Sequence, residues 1–327
     1  MKTLIIGGSG KIGSYLINKK NSIIHTYHKN RVKNGIKFDI IKDDISNIII
    51  KHNISSVVFL GAISDPNICF KNKKYTKKLN IEKTIKILDF LIKKNIYFIF
   101  FSSEFIFSGN KGNYDEKNIA RPNNEYGKQK LKVEKYIKKN AKKFAIFRIA
   151  KTYGENLNED SIISNYLRDL LEKKREFNVA YDQKFNPMFV KDLKKIVFFF
   201  LKKKFQGTYN VGGNEKLTRF DCLKKINFFL KKKIKNTISL NKKELKIFNY
   251  HDKRPLNVTF NTKKINNKLN FKMTKFDTIA KKMIKKYKIN EKIFIGVLKI
   301  SFFFNLQIFL MSPLSVNKIQ IIEPLII

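Results

Sequence analysis

Tryptophan is absent from this sequence, and cysteine, proline and arginine are scarce, with two, six and seven residues in 327. The cysteines, Cys69 and Cys222, lie far apart and belong to no CxxC or Cys/His cluster. A disulfide framework and a zinc site of the usual spacing are therefore excluded, and free thiols in a reducing compartment are expected. The histidines, His25, His28, His52 and His251, also lack metal-ligand spacing, so no metal is expected. Acidic residues are few as well, 26 against 69 basic ones, for a formal charge of +43. Such an excess suggests a nucleic-acid partner. Yet 62 of those basic residues are lysine, spread over nearly every segment. Arginine is the usual tool for bidentate recognition of phosphates and bases, so the charge reads as a compositional bias, with no specific nucleic-acid binding expected.

Long apolar runs are missing until the end of the chain, where 293–311 carries one charge, Lys299, and is interrupted by Asn305 and Gln307. Because about twenty apolar residues span a bilayer, this stretch is a candidate for membrane association, set against a loosely docked extension. The chain opens directly on a strand-like run with no basic-then-apolar export signal, which leaves the cytoplasm as the expected location.

What is present is an α/β rhythm. The β-rich run Lys2 to Ile6 leads into Gly7-Gly-Ser-Gly10-Lys11-Ile12-Gly13 and then into a helical pattern. A strand, a glycine turn and a helix in that order make a phosphate cradle, because glycines admit the pyrophosphate and the helix start offers free N–H groups. The second strand, Ser22 to Tyr27, ends in His28-Lys29-Asn30-Arg31 without an acidic residue. Basic residues there suit the 2′-phosphate of NADP, although NAD is not excluded. Asp39 and Ile40 follow, placed to face an adenine or a solvated turn, and Ser55 to Leu60 forms a further buried strand that ends in Gly61-Ala62, small enough to lie against a cofactor. A helical pattern over 75–94 holds Asn80, either a surface asparagine or a relay residue.

The run Ile96 to Phe101 reads as a buried strand that delivers Ser102-Ser103 to its carboxyl end, where open α/β sheets place their ligands. Downstream, Pro122 starts a helical pattern containing Tyr126 and Lys130, whose spacing of four puts both on one helix face. A tyrosine with a reference pKa of about 10 needs help to exchange protons near neutrality, and a neighbouring ammonium is one source of it. Phe144 to Ile149 gives the next strand. Beyond it the elements shorten, with helical patterns at 161–174, 190–203 and 218–231 and strand-like runs at 177–181 and 207–211. The expected architecture is a Rossmann-type doubly wound parallel sheet with a smaller, loop-rich α/β lobe. The expected divisions are a dinucleotide domain over 1–154, an interleaved substrate lobe over 155–290 and an apolar extension over 291–327.

These motifs resemble those of the extended short-chain dehydrogenase/reductases, and among them most closely the dTDP-4-dehydrorhamnose reductases and their sugar-nucleotide relatives. Gly7, Gly10 and Gly13 match the group's G-x-x-G-x-x-G. Ser102 to Gly109 resembles its S-T-D-Y-V-F-x-G segment, Asp182 to Pro187 its D-Q-x-G-x-P loop, Gly207 to Gly212 its G-x-Y-H-L-x-G strand, and Arg254 to Asn257 its R-P-x-N. The resemblance covers 1–287. It implies Ser103, Tyr126, Lys130 and Asn80 as the catalytic set, and Glu104, Phe105, Asn186 and Arg254 as substrate contacts. It further implies an NADPH-dependent reductase of a nucleotide-linked 4-keto-6-deoxysugar serving surface polysaccharide, with the homodimer state left open. The departures, Glu104 for Asp, Phe105 for Tyr, Phe185 for Gly and Met188 for Thr, fall in the substrate region. An NAD-retaining epimerase or dehydratase and a non-catalytic cofactor-binding subunit are the alternatives.

Overall fold

Strand residues in this protein are apolar on both sides of the pleat, as a sheet covered on two faces requires. The computed structural model describes residues 2–17, 22–171, 176–231 and 239–286. Seven strands form its main sheet: β1 (Lys2–Ile6), β2 (Ile23–Tyr27), β3 (Ile36–Lys37), β4 (Ile54–Phe59), β5 (Tyr97–Ser103), β6 (Phe144–Ile149) and β7 (Gly207–Val211), in the order 7-6-5-4-1-2-3. Every neighbouring pair in that sheet is parallel. This is a Rossmann-type doubly wound sheet, and its order reverses between β1 and β4, where such sheets leave a ligand crevice.

Alternation along each strand feeds two cores. Ile5, Val58, Ile99, Phe101, Ala145 and Phe147 point to one face and pack with Leu193, Ile196, Val197 and Phe200 of the Val190–Lys203 helix. Leu4, Ile6, Val57, Phe59, Phe98, Phe100 and Ile146 point to the other, against the helices Ile45–Lys51, Thr84–Lys93 and Glu125–Asn140. One-residue register is therefore fixed on both sides at once. The buried ion pair of Arg148 with Glu134, 2.9 Å apart and almost fully enclosed, ties β6 to the last of those helices.

The second half is made of short pairings: Thr152–Tyr153 with Met188–Phe189, Lys184–Phe185 with Leu217–Thr218, and Glu176–Ala180 with Ser239–Lys243. Several lie below the length at which alternation can be read. The Ile45–Lys51 helix was not expected, although Ile45, Ile48 and Ile49 are buried at helical spacing, and the two-residue β3 carries no periodic signal. The helical pattern over 75–94 proves to be segmented, with Pro66–Lys71 and Lys73–Lys77 ahead of a π-helical turn, Lys78–Lys83, and then Thr84–Lys93. The Thr84 hydroxyl donates to the Leu79 carbonyl five residues back, 2.9 Å away, which suits the wider turn. The pattern starting at Pro122 becomes regular helix only at Glu125, where the Asn124 side chain accepts from the Gly127 N–H and caps the first turn.

The described residues up to Lys281 pack as one unit, and a helix spans 276–286. The apolar stretch 293–311 lies outside the described residues. Among the described ones, no helix is long and apolar enough to cross a membrane.

Candidate active site

The glycine turn sits at the β1 end of the crevice. A Cβ on Gly13 would stand 2.3 Å from the Gly7 carbonyl oxygen and 2.7 Å from the Gly8 Cα, so only glycine lets the Lys11–Leu16 helix start this close to the turn. The first N–H groups of that helix have no partner within it, and Gly7, Gly10, Lys11, Ile12 and Gly13 all line a cavity of about 1210 Å³. Gly61, just beyond β4, lies across from Gly7, and Ala62 joins the wall. A narrow backbone cradle lined by free N–H groups fits a dinucleotide pyrophosphate. Lys11 turns its ammonium away to the carbonyls of Thr152 and Asp160, each 3.0 Å off.

The residues after β2 are placed differently. His28, Lys29 and Arg31 are exposed, His28 sits 3.4 Å from the Asp39 carboxylate, and none of the three lines the cavity. Asp39 itself accepts from the Ile41 N–H at 2.8 Å, and Ile40 packs towards Gly61.

At the other end of the same cavity, β5 ends in Ser103, whose hydroxyl accepts from the Phe105 N–H at 3.2 Å. Gly127 lets the Glu125–Asn140 helix press against this turn, since a Cβ there would meet the Phe105 carbonyl oxygen at 2.1 Å. The close approach brings Tyr126 over Ser103, with Phe105 edge-on to its ring at 6.5 Å between centroids. Ser103, Tyr126 and Lys130 are each at least nine-tenths buried and line the cavity together. The Lys130 ammonium donates to the Phe101 carbonyl at 2.8 Å and stands 5.9 Å from the Tyr126 ring centroid.

Burial pushes the Tyr126 phenol above its ordinary range, and the hydrogen bond with Ser103 draws it back. The downward pull thus comes from the serine, because Lys130 is itself desolvated and committed to Phe101. Burial also lowers the Lys130 ammonium to about 8, against the raising influence of Glu134. Glu104 moves the other way. Burial raises its carboxyl to about 8, with Lys151 and Arg219 pulling down, and its Oε2 is buried with no hydrogen-bond partner among the described residues.

Asn80 is buried in the π-helical turn. Its Oδ1 accepts from the Ile63 N–H and its Nδ2 donates to the Ile63 carbonyl, both at 2.9 Å. Of the four expected substrate contacts, Glu104, Phe105 and Arg254 line the cavity. Asn186 does not, because its amide is used in donating to the Gly213 carbonyl at 2.8 Å and accepting from the Phe260 N–H at 2.6 Å. Arg254 lies over the Tyr250 ring, 4.6 Å from its centroid, and donates to Asn67 at 2.9 Å. Sequence reasoning passed over Arg219, a second cavity arginine, which donates to Gln183 at 2.6 Å. The signal available was its rarity, since an arginine among so many lysines is a chemical choice.

Across residues 1–289 the sequence matches the family described as the RmlD substrate binding domain. The chain belongs to that family. Solved structures agree in fold. The dTDP-4-dehydrorhamnose reductase of Bacillus anthracis, solved with NADP, is 19% identical with a TM-score of 0.75, covering 88% of this chain and 100% of that one. The corresponding protein of Clostridium acetobutylicum is 20% identical with a TM-score of 0.76 at the same coverage. Methionine adenosyltransferase 2 subunit beta of Bos taurus is 26% identical over 171 residues, 50% of this chain and 51% of that protein. The chain thus spans about half the length of the curated relatives it matches.

Proposed function

We propose that this protein is an NADPH-dependent reductase of a keto group on a nucleotide-linked sugar, with the 4-keto-6-deoxysugar of the rhamnose reductases as the leading substrate. The observation that carries this reading is the convergence of Ser103, Tyr126 and Lys130 on the cavity that also holds the glycine turn. The cofactor, when bound, supplies the hydride. Gly7, Gly10, Lys11, Ile12 and Gly13 would hold its pyrophosphate, and Lys130 its nicotinamide ribose. Ser103 donates to the substrate carbonyl and fixes its oxygen. Tyr126 delivers a proton to that oxygen as the carbonyl is reduced. Arg254 and Arg219 grip the diphosphate, for which a guanidinium offers paired donors.

A buried carboxyl beside Ser103, with one oxygen left unpartnered among the described residues, supports a second reading, an epimerase or dehydratase that returns the hydride, with Glu104 as an added acid or base. The curated relatives, named as a beta subunit, support a third, a cofactor-binding subunit without turnover. A panel of nucleotide sugars scored by NADPH oxidation separates them. Stoichiometric NADPH consumption with one keto sugar is the expected result. Turnover without net NADPH loss selects the second reading, and NADPH binding with no turnover on the whole panel selects the third.

A further inference from the structure

Gln129 lies between Tyr126 and Lys130 on the same helix, yet its side chain turns away from the cavity into a buried polar cluster. It is 1% exposed. Its Oε1 accepts from Asn80 Nδ2 at 2.8 Å, and its Nε2 donates to Thr76 Oγ1 at 3.0 Å and to Glu125 Oε1 at 3.3 Å. Both N–H groups and the carbonyl are therefore used. Each of these partners belongs to a part of the site. Asn80 holds Ile63 through both backbone groups, and Ile63 lies in the loop after β4 whose neighbours Ala62 and Ser64 line the cavity. Thr76 belongs to the helix that precedes the π-helical turn. Glu125 starts the catalytic helix, where its own N–H donates to Asp252 at 2.7 Å.

We propose that Gln129 is a positioning residue that locks Asn80, and through it the loop after β4, to the helix carrying Tyr126 and Lys130. The inference rests on the proposed reductase chemistry for those two side chains. The lock also accounts for the π-helical turn, because a turn with one extra residue aims Asn80 at the loop and the helix at once, as such turns do at functional sites. A fully satisfied buried amide specifies one arrangement, whereas a partly satisfied one specifies none. An ordinary surface residue at 129 would leave the loop and the catalytic helix free to shift against one another.

The test uses the full-length chain and NADPH affinity, with thermal unfolding followed on the same samples. Gln129→Leu keeps the volume and removes all three hydrogen bonds; NADPH binding falls about tenfold, as the loss of one or two net hydrogen bonds predicts. Gln129→Glu carries the sharper readout. The introduced carboxyl faces Glu125 on its own helix, with Lys77 paired to Glu125 at 3.6 Å, Cys69 beside Asn80 at 3.7 Å, and Asp252 and Lys130 nearby. When protonated, the introduced carboxyl donates as the amide does; when ionised, it repels the Glu125 carboxylate. Expected is an NADPH affinity, relative to wild type at the same pH, near unity at about pH 5.5 and about tenfold weaker at about pH 8.5. The inference is overturned by a folded Gln129→Leu that binds NADPH normally. It is equally overturned by a Gln129→Glu whose affinity relative to wild type ignores pH, or one in which only the unfolding temperature moves. Should Gln129→Leu not fold, the pH contrast in Gln129→Glu still decides. A wild-type protein that binds NADPH but reduces no nucleotide sugar removes the reductase reading and leaves this result standing.

Discussion

The two ends of the cavity are built from different materials. At the β1–β4 crevice the wall is backbone: a glycine turn, the first N–H groups of a short helix and the loop beginning at Gly61. At the β5–β6 end it is side chain: Glu104, Phe105, Tyr126, Lys130, Arg219 and Arg254. A backbone site tolerates drift in composition but no added Cβ where chains touch. A side-chain site is the reverse, tuned by single substitutions that leave the fold intact. On the proposed function, such a protein keeps its cofactor while its sugar changes: the departures Glu104, Phe105 and Phe185 line the cavity, whereas Met188, expected with them, is buried in the core instead.

Breaking the side-chain end at its centre gives the largest effect. Tyr126→Phe removes the proposed proton donor and lowers turnover by about a hundred- to ten-thousand-fold, while NADPH titration stays within about twofold of wild type because the cradle lies elsewhere. Retained turnover with the true substrate would refute the mechanism. Next comes Arg254→Ala. Loss of a charge-assisted hydrogen bond costs about 1.5–3 kcal/mol, seen as a roughly ten- to hundred-fold rise in KM for the nucleotide sugar with the NADPH constant unmoved. An equal change in both constants would mean that the two ends are not separable.

The opposite break is Gly13→Ala. Its methyl would sit 2.3 Å from the Gly7 carbonyl oxygen, and overpacking of this kind costs about 1–3 kcal/mol. NADPH affinity drops roughly five- to hundred-fold, whereas binding of the bare nucleoside diphosphate, measured by calorimetry, persists. If that binding is lost too, the turn supports the whole cavity and the contrast between the ends collapses.

The same contrast explains what was legible in the sequence. Gly7, Gly10 and Gly13 act through local backbone geometry, and Tyr126 and Lys130 through a fixed helical spacing, so short-range pattern sufficed for both. Six of the seven strands of the main sheet were legible because their apolar runs are continuous; the two-residue β3 was not. Arg219 reaching Gln183, or Asn80 reaching Gln129 49 residues later, depends on the tertiary path, and no local pattern announces it. Asn186 shows the converse: it sits in a recognisable loop motif, yet its amide is used up in holding Gly213 and Phe260. The two-residue strands are set by pairing alone, below the length at which alternation exists.

A measurement of stability against pH tests whether burial truly governs the side-chain end. Glu104 titrates near 8 in the folded chain because burial disfavours its charge, whereas an unfolded glutamate titrates at about 4.3. Between those values the folded chain holds a proton that the unfolded chain has released, so this residue makes stability fall as pH rises through the window and stop falling above it. A glutamine in its place cannot titrate. Relative to wild type, Glu104→Gln therefore gains stability from about pH 4.5 to about pH 8 and gains nothing further beyond. Urea unfolding of both proteins at several pH values reads the difference directly. Parallel curves would mean that Glu104 stays ionised against Lys151 and Arg219, and charge pairing, not burial, would then set the chemistry beside Ser103.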